Sequence, residues 1–249
     1  MNASVFAAAQ AISVAGDVHA NVMAHLRFMQ AAAEQDVKLL VFPELSLTGY
    51  ELGLAAKLAI LPNDSLLQPL RDLAQELCLT TVVGMPIRLS TSEPVLIGAL
   101  ILGADGSLGV YSKQHLHTGE EVVFAPGHGG PMLPMDLDQV ALAVCADFTH
   151  ACHAASAAGQ GTTVYAAGVL ISKGGYEPDT TLLQSYARQH AMAVLMANHG
   201  GATGGWESAG RSAIWGPDGS LLAAAQGVGE ALVIARRGDS GWAGQAMAL

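Results

Sequence analysis

Three side chains of complementary chemistry each stand at the end of an apolar run. Glu44 follows the run 37–42 (VKLLVF) and Pro43, Lys113 closes Tyr111-Ser112-Lys113, and Cys145 ends the run VALAVC. A thiolate attacks carbonyl carbon, a carboxylate shuttles the proton, and an ammonium steadies the negative charge that develops on oxygen. Each has a plainer reading as well. Cys145 suits a buried structural thiol, Glu44 a cap on the loop that follows it, and Lys113 a solvated lysine on an edge strand. Reactive groups in α/β proteins collect outside the carboxyl ends of strands, so an acid, an amine and a thiol at three strand ends point together to one compact site.

The elements that must position them follow from pattern. Residues 4–13 read as a short apolar strand, and Asp17 caps a helix to about residue 35 with Val22, Leu26 and Met29 on one face. Strands are expected over 37–42 and 81–85, the second closed by Pro86, with a helix from Asn63-Asp64 to residue 78 between them. Asp105-Gly106 marks a hairpin joining strands 94–102 and 108–115. Further on come a strand over 139–145, an alanine-rich helix over 151–158 and a strand over 164–172. A helix over 179–192, capped by Asp179, leads to a strand over 193–198. A second hairpin (212–215 and 221–225) turns on Pro217-Asp218-Gly219, and the last strand spans 230–236. Strand-helix-strand units mixed with hairpins imply mixed sheets with helices outside, two such sheets packing face to face.

Composition bounds the function. The 249 residues carry a net charge of −10, which argues against nucleic acid as a partner. With 51% apolar and 13% charged residues, the chain suits large buried sheets and an apolar oligomer interface. No apolar run approaches the roughly 20 residues of a membrane span, and the start MNASVFAAAQ has no basic leader region. Cys78, Cys145 and Cys152 lack zinc-ribbon spacing and suit a reducing cytoplasm.

VFPELSLTGY, YSKQHL with GEEVVFAPG, and VALAVCAD together resemble the three catalytic blocks of the nitrilase superfamily of carbon–nitrogen hydrolases, in order and in separation. The resemblance extends to MANHGG and GRSAIWGPDG and so covers nearly the whole chain. It implies a single carbon–nitrogen hydrolase domain over 1–249, an α/β four-layer α-β-β-α sandwich of two mixed β-sheets with outer helices. It also implies a homodimer or higher homo-oligomer and no cofactor or metal. The family's catalytic glutamate, lysine and cysteine map onto Glu44, Lys113 and Cys145. A supporting glutamate maps onto Glu120, with Glu121 as the alternative, and the backbone N–H of Ala146 is the implied oxyanion donor. Tyr50 and His199 are candidate substrate-binding residues. Asp147 after the cysteine resembles the amidase and carbamoylase branches, where true nitrilases usually carry Glu. Ala146 stands where an aromatic residue is frequent, and Phe148–His153 replace a frequent Arg and Pro-Glu. The resemblance therefore implies hydrolysis of a small linear amide or N-carbamoyl compound. Nitrile hydrolysis, acyl transfer to an amine and a non-catalytic member stay as alternatives. A rival of another class is a zinc site drawn from His115, His117, His150, Cys152 and His153, although no HExxH or paired CxxC accompanies them.

Overall fold

The computed structural model describes residues 4–249, so the start of the expected N-terminal reading, residues 1–3, lies outside the described residues. The first half alternates strand and helix: β1 (Ser4–Gln10), α1 (Val18–Ala33), β2 (Leu39–Val41), α2 (Leu52–Leu58), α3 (Gln68–Glu76) and β3 (Thr80–Ile87). The hairpin β4 (Leu96–Leu102) and β5 (Leu108–Ser112) follows, then β6 (Leu133–Met135) and β7 (Asp138–Val144). The rest comprises α4 (Ala151–Gly159), β8 (Val164–Val169), α5 (Tyr176–His190), β9 (Ala193–Asn198), β10 (Ala213–Trp215), β11 (Leu221–Ala224), β12 (Ala231–Gly238) and β13 (Gly241–Ala248).

The strands make two mixed sheets, β13-β12-β1-β2-β3-β4-β5 and β11-β10-β9-β8-β7-β6. Parallel pairing holds β1-β2-β3 in one and β7-β8-β9 in the other. Side chains alternate faces along a strand, and the alternation sorts the layers. Phe6, Ala8, Leu39 and Val41 of the first sheet meet Leu142, Val144, Val164 and Ala166 of the second. On the outer faces Val5, Ala7, Leu40 and Phe42 pack on α1 and α3 residues such as Phe28, Met29 and Leu70. Ala141, Ala143 and Tyr165 pack likewise on Ala154, Leu183 and Tyr186 of α4 and α5. Four layers result, α-β-β-α. Among the described residues no helix is long and apolar enough to cross a membrane.

Several boundaries differ from the sequence expectation for physical reasons. β3 runs through Pro86 to Ile87, because its neighbour β2 pairs only as far as Val82 and leaves no partner there for the missing N–H. Asp17 caps α1 as expected, accepting from Ala20 N at 3.0 Å. Asp179 does not cap α5: the helix opens at Tyr176, and Asp179 lies inside its first turn. Helix α2 and strands β6 and β13 carry too little periodicity to be read from sequence. The edge strand β13 is Gly- and Ala-rich, and six of its eight residues are exposed, which erases the alternation.

Candidate active site

The site lies where the two sheets meet at their strand ends. Glu44 leaves β2 through Phe42-Pro43, on a loop clamped between the sheets. A Cβ on Gly168 of β8 would stand 2.6 Å from the Phe42 carbonyl, and one on Gly84 of β3 would stand 2.5 Å from that of Pro43. Only glycine at these two positions lets the loop sit so deep. His199 and His25 fasten it further. His199 Nε2 donates to the Glu44 carbonyl at 2.7 Å, and His25 Nε2 lies 2.9 Å from Ser46 Oγ. Burial drives both imidazoles down, to about 4 and about 3, so they act as neutral struts.

Lys113 follows β5 and is fully buried. Its Nζ stands 2.6 Å from Glu44 Oε1 and 2.7 and 2.8 Å from the two oxygens of Glu120. Glu120 also accepts from Tyr50 Oη at 2.6 Å and from the His117 N–H at 2.8 Å, so donors surround both its oxygens. Glu121 is exposed and, among the described residues, accepts only from the Gly119 N–H, away from Lys113. Cys145 comes from the second sheet, at the end of β7. Its φ of 42° is a left-handed value rare outside glycine, and it turns the chain abruptly into a short 3-10 helix over Cys145–Thr149. The thiol lies 3.8 Å from the Leu170 carbonyl. The N–H of Ala146, at the start of that turn, has no carbonyl to bond to within it.

Electrostatics follow from burying two carboxylates, one ammonium and one thiol together. Burial raises Glu44 to about 7; Lys113 opposes the rise and Glu120 adds to it. Burial pulls the Lys113 ammonium down, but the neighbouring carboxylates of Glu44 and Glu120 hold it above its ordinary value. The Cys145 thiol is pushed up by burial and by Glu44, against the pull of Lys113. The resting sulfur is therefore a thiol beside a carboxyl poised near neutrality. Glu44 Oε2 is buried with no hydrogen-bond partner among the described residues, which leaves it free to take a proton.

A pocket of about 370 Å³ opens onto this cluster, small for a ligand site. Glu44, Tyr50, Cys145 and Ala146 line it, with Leu116, Phe148, Leu170 and Trp206 as apolar wall. Tyr50 thus reaches the pocket, with its hydroxyl committed to Glu120. His199 does not: it lies fully buried behind the Glu44 backbone and is absent from the lining, a correction to its expected role. The histidines weighed as zinc ligands are otherwise engaged. His115 stacks on His150 at 3.8 Å, and His153 sits between the hydroxyls of Tyr111 and Tyr165 at 2.9 and 2.8 Å. Among the described residues no three His, Cys, Asp or Glu side chains converge as a metal site.

One residue carries more than its sequence position suggested. Asp147 is buried and joins the two sheets' contributions. Its Oδ1 accepts from the N–H groups of Gln114 and His115 at 3.0 and 2.8 Å, directly after Lys113. Its Oδ2 accepts from Tyr111 Oη at 2.7 Å and from the Val144 N–H at 3.1 Å, directly before Cys145. No spacing rule in the sequence links residue 147 to residues 114 and 115.

Known proteins share this arrangement of sheets. Nit3 of Saccharomyces cerevisiae, a member of branch 10 of the nitrilase superfamily, matches 96% of this chain and 91% of its own with TM-score 0.87 at 21% identity. A variant amidase from Nesterenkonia sp. AN1, with the acetamide moiety of fluoroacetamide covalently added at its active-site cysteine, matches 95% and 91% with TM-score 0.84 at 24% identity. Another variant of that amidase, in complex with butyramide, matches 93% and 89% with TM-score 0.81 at 25% identity. The family model described as carbon-nitrogen hydrolase matches residues 6–240, a span that takes in every strand end bearing Glu44, Lys113 and Cys145. With fold and sequence in agreement over that length, the chain belongs to the carbon–nitrogen hydrolase family, within the nitrilase superfamily.

Proposed function

We propose that this carbon–nitrogen hydrolase cleaves the C–N bond of a small linear amide or N-carbamoyl compound through a thioester on Cys145. One observation carries the reading: the buried Lys113 ammonium bridges Glu44 and Glu120 within 2.6–2.8 Å, and Glu44 lines the same pocket as Cys145. Glu44 Oε2 takes the thiol proton as sulfur attacks the carbonyl carbon, because the thiol is too weak an acid here to ionise beforehand. The oxyanion gathers the Ala146 N–H and one N–H of Lys113, which turns from a Glu120 oxygen to reach it; a well-placed donor of this kind contributes roughly 3–4 kcal/mol. Glu44 then hands its proton to the leaving nitrogen, giving ammonia or an amine and the acyl-cysteine. A water delivered through Glu44 cleaves the thioester and restores the thiol. Glu120 acts through Lys113 by holding it, and Tyr50 forms wall.

The similarity to an amidase whose cysteine bears an acetamide group supports an amide substrate. We also propose that the protein works in the cytoplasm as a homodimer or larger homo-oligomer, on a small molecule and without nucleic acid, membrane, metal or organic cofactor. The acidic charge and the thiol content support this. The test is ammonia release from a series of short amides and N-carbamoyl amines. Wild type should release it, with or without chelator, and a folded Cys145→Ala variant should not. Release by Cys145→Ala at the wild-type rate would end the reading. An added amine that diverts the acyl group into a new amide would reassign the enzyme to acyl transfer.

A further inference from the structure

Away from the reacting groups, the pocket has one polar corner that the hydrolytic steps do not use. It is built where the chain passes from β8 into α5, from Ser172, Gly175 and Asp179, all lining the pocket. The corner is defined by what Gly175 leaves open. A Cβ placed there would stand 3.2 Å from Asp179 Oδ2 and 3.6 Å from Ser172 Oγ, so a carboxylate oxygen and a hydroxyl converge on the bare face of the glycine. Gly175 has a φ of −85°, which any residue adopts, so backbone conformation does not demand glycine at this position. The space does.

The carboxylate has nothing to hold. Ser172 Oγ accepts from the Gly175 N–H at 3.3 Å, whereas Asp179 makes no side-chain hydrogen bond or ion pair among the described residues. The nearby cations are committed elsewhere, Lys173 to Glu207 at 2.9 Å and Arg211 to Glu177 at 3.4 Å and over the Tyr176 ring. A carboxylate in the first turn of a helix gains from the helix dipole, but Glu177 already stands in that turn. Partial burial raises Asp179 above its ordinary value, and His117, which also lines the pocket, opposes the rise. Among the residues lining the pocket there is no lysine or arginine, so an anionic substrate group would meet Asp179 with neither of those cations to offset it.

We propose that the corner formed by Asp179, Ser172 and Gly175 receives a cationic group, an ammonium or guanidinium, at the far end of the substrate, so that the enzyme selects amides or carbamoyl compounds of amines over neutral or anionic ones. An ammonium there donates to Asp179 Oδ2 and to Ser172 Oγ, with the bare face of Gly175 giving it room. The proposal deepens the hydrolase reading and rests on it.

The experiment compares kcat/KM for three amides of equal length, 5-aminopentanamide, hexanamide and adipamic acid, which differ only in ending on ammonium, methyl or carboxylate. Wild type should favour the cationic amide over the neutral one by about tenfold or more, the scale of one charge-assisted contact, and should disfavour the anionic one. Asp179→Asn should bring the cationic-to-neutral ratio close to one and raise turnover of adipamic acid. Gly175→Ala, which fills the corner without straining the backbone, should lower the same ratio. Because ratios are taken within one variant, loss of folded enzyme cancels. A wild-type ratio at or below one, or a ratio unmoved by Asp179→Asn, overturns the proposal while hexanamide turnover leaves the hydrolase reading standing. If none of the three releases ammonia and Cys145 takes no acyl group, both fall together.

Discussion

Glu120→Gln is the most informative single change in the buried cluster. It keeps the shape of the side chain and removes one negative charge 2.7–2.8 Å from Lys113 Nζ. All of Glu120's neighbours donate: Lys113 Nζ, the Tyr50 hydroxyl at 2.6 Å and the His117 N–H at 2.8 Å. A glutamine amide group brings its own donors into that ring, and only the tyrosine hydroxyl can turn to accept one. Stripping one partner from a buried ion pair costs about 3–5 kcal/mol, and the retained amide oxygen puts this case near the lower end. If Lys113 must be held in place for the chemistry, about 3 kcal/mol lowers kcat/KM by about a hundredfold. A second consequence has a definite sign. Glu120's charge is one of the influences that raise Glu44 to about 7, so its loss moves the acid limb of the pH profile downward. Ammonia release measured as kcat/KM against pH reads both effects, with thermal unfolding as the check on folding. A variant within threefold of wild type, its acid limb unmoved, would refute the idea that Glu120 works by holding Lys113 and charging Glu44's surroundings.

Other outcomes follow from the same contacts. Since Glu44 must be ionised to accept the thiol proton and sits near 7, kcat/KM should climb as pH rises through about 7, and Glu44→Gln should abolish turnover and the limb together. The linkage has the opposite sense for stability. A folded-state value raised from 4.5 stabilises at low pH and is lost as pH rises to about 7, so a urea titration across that window should show Glu44→Gln gaining on wild type. Asp147→Asn replaces one of two accepting oxygens with a donor facing backbone N–H groups, so Tm should fall by roughly 3–10 °C. Its kcat should fall more than its KM rises, because the loss loosens the tie between the segments carrying Lys113 and Cys145. Gly168→Ala puts a methyl group 2.6 Å from the Phe42 carbonyl, and overpacking of this kind costs about 1–3 kcal/mol. Calorimetry should show the loss, and activity should drop further because the loop carrying Glu44 is what moves.

How much of this could be read from the chain depends on how local each cause is. The runs VKLLVF and VALAV announce buried strands because both their faces are covered, by helices on one side and the other sheet on the other. Their polar successors mark the strand ends, which is why Glu44 and Cys145 stood out. The choice of Glu120 over Glu121 hung on one step of a 3-10 turn, in which the first side chain points inward and the second out to solvent. Asp147's bridge and Gly84 and Gly168 as points of close approach are facts about two distant segments meeting. Pattern along one segment carries no trace of them. His199 shows the converse: a histidine after a strand beside the site looks like a ligand group in sequence, and in space it holds a backbone carbonyl from behind.

Intact-mass spectrometry on enzyme quenched during turnover of a short amide bears most directly on the shared use of sulfur, carboxyl and ammonium. Wild type should carry one added acyl mass, mapped by digestion to Cys145, released by hydroxylamine as a thioester is and absent from Cys145→Ala. Turnover that proceeds with Cys145 unmodified, or with the acyl group found only on Cys78 or Cys152, would contradict it.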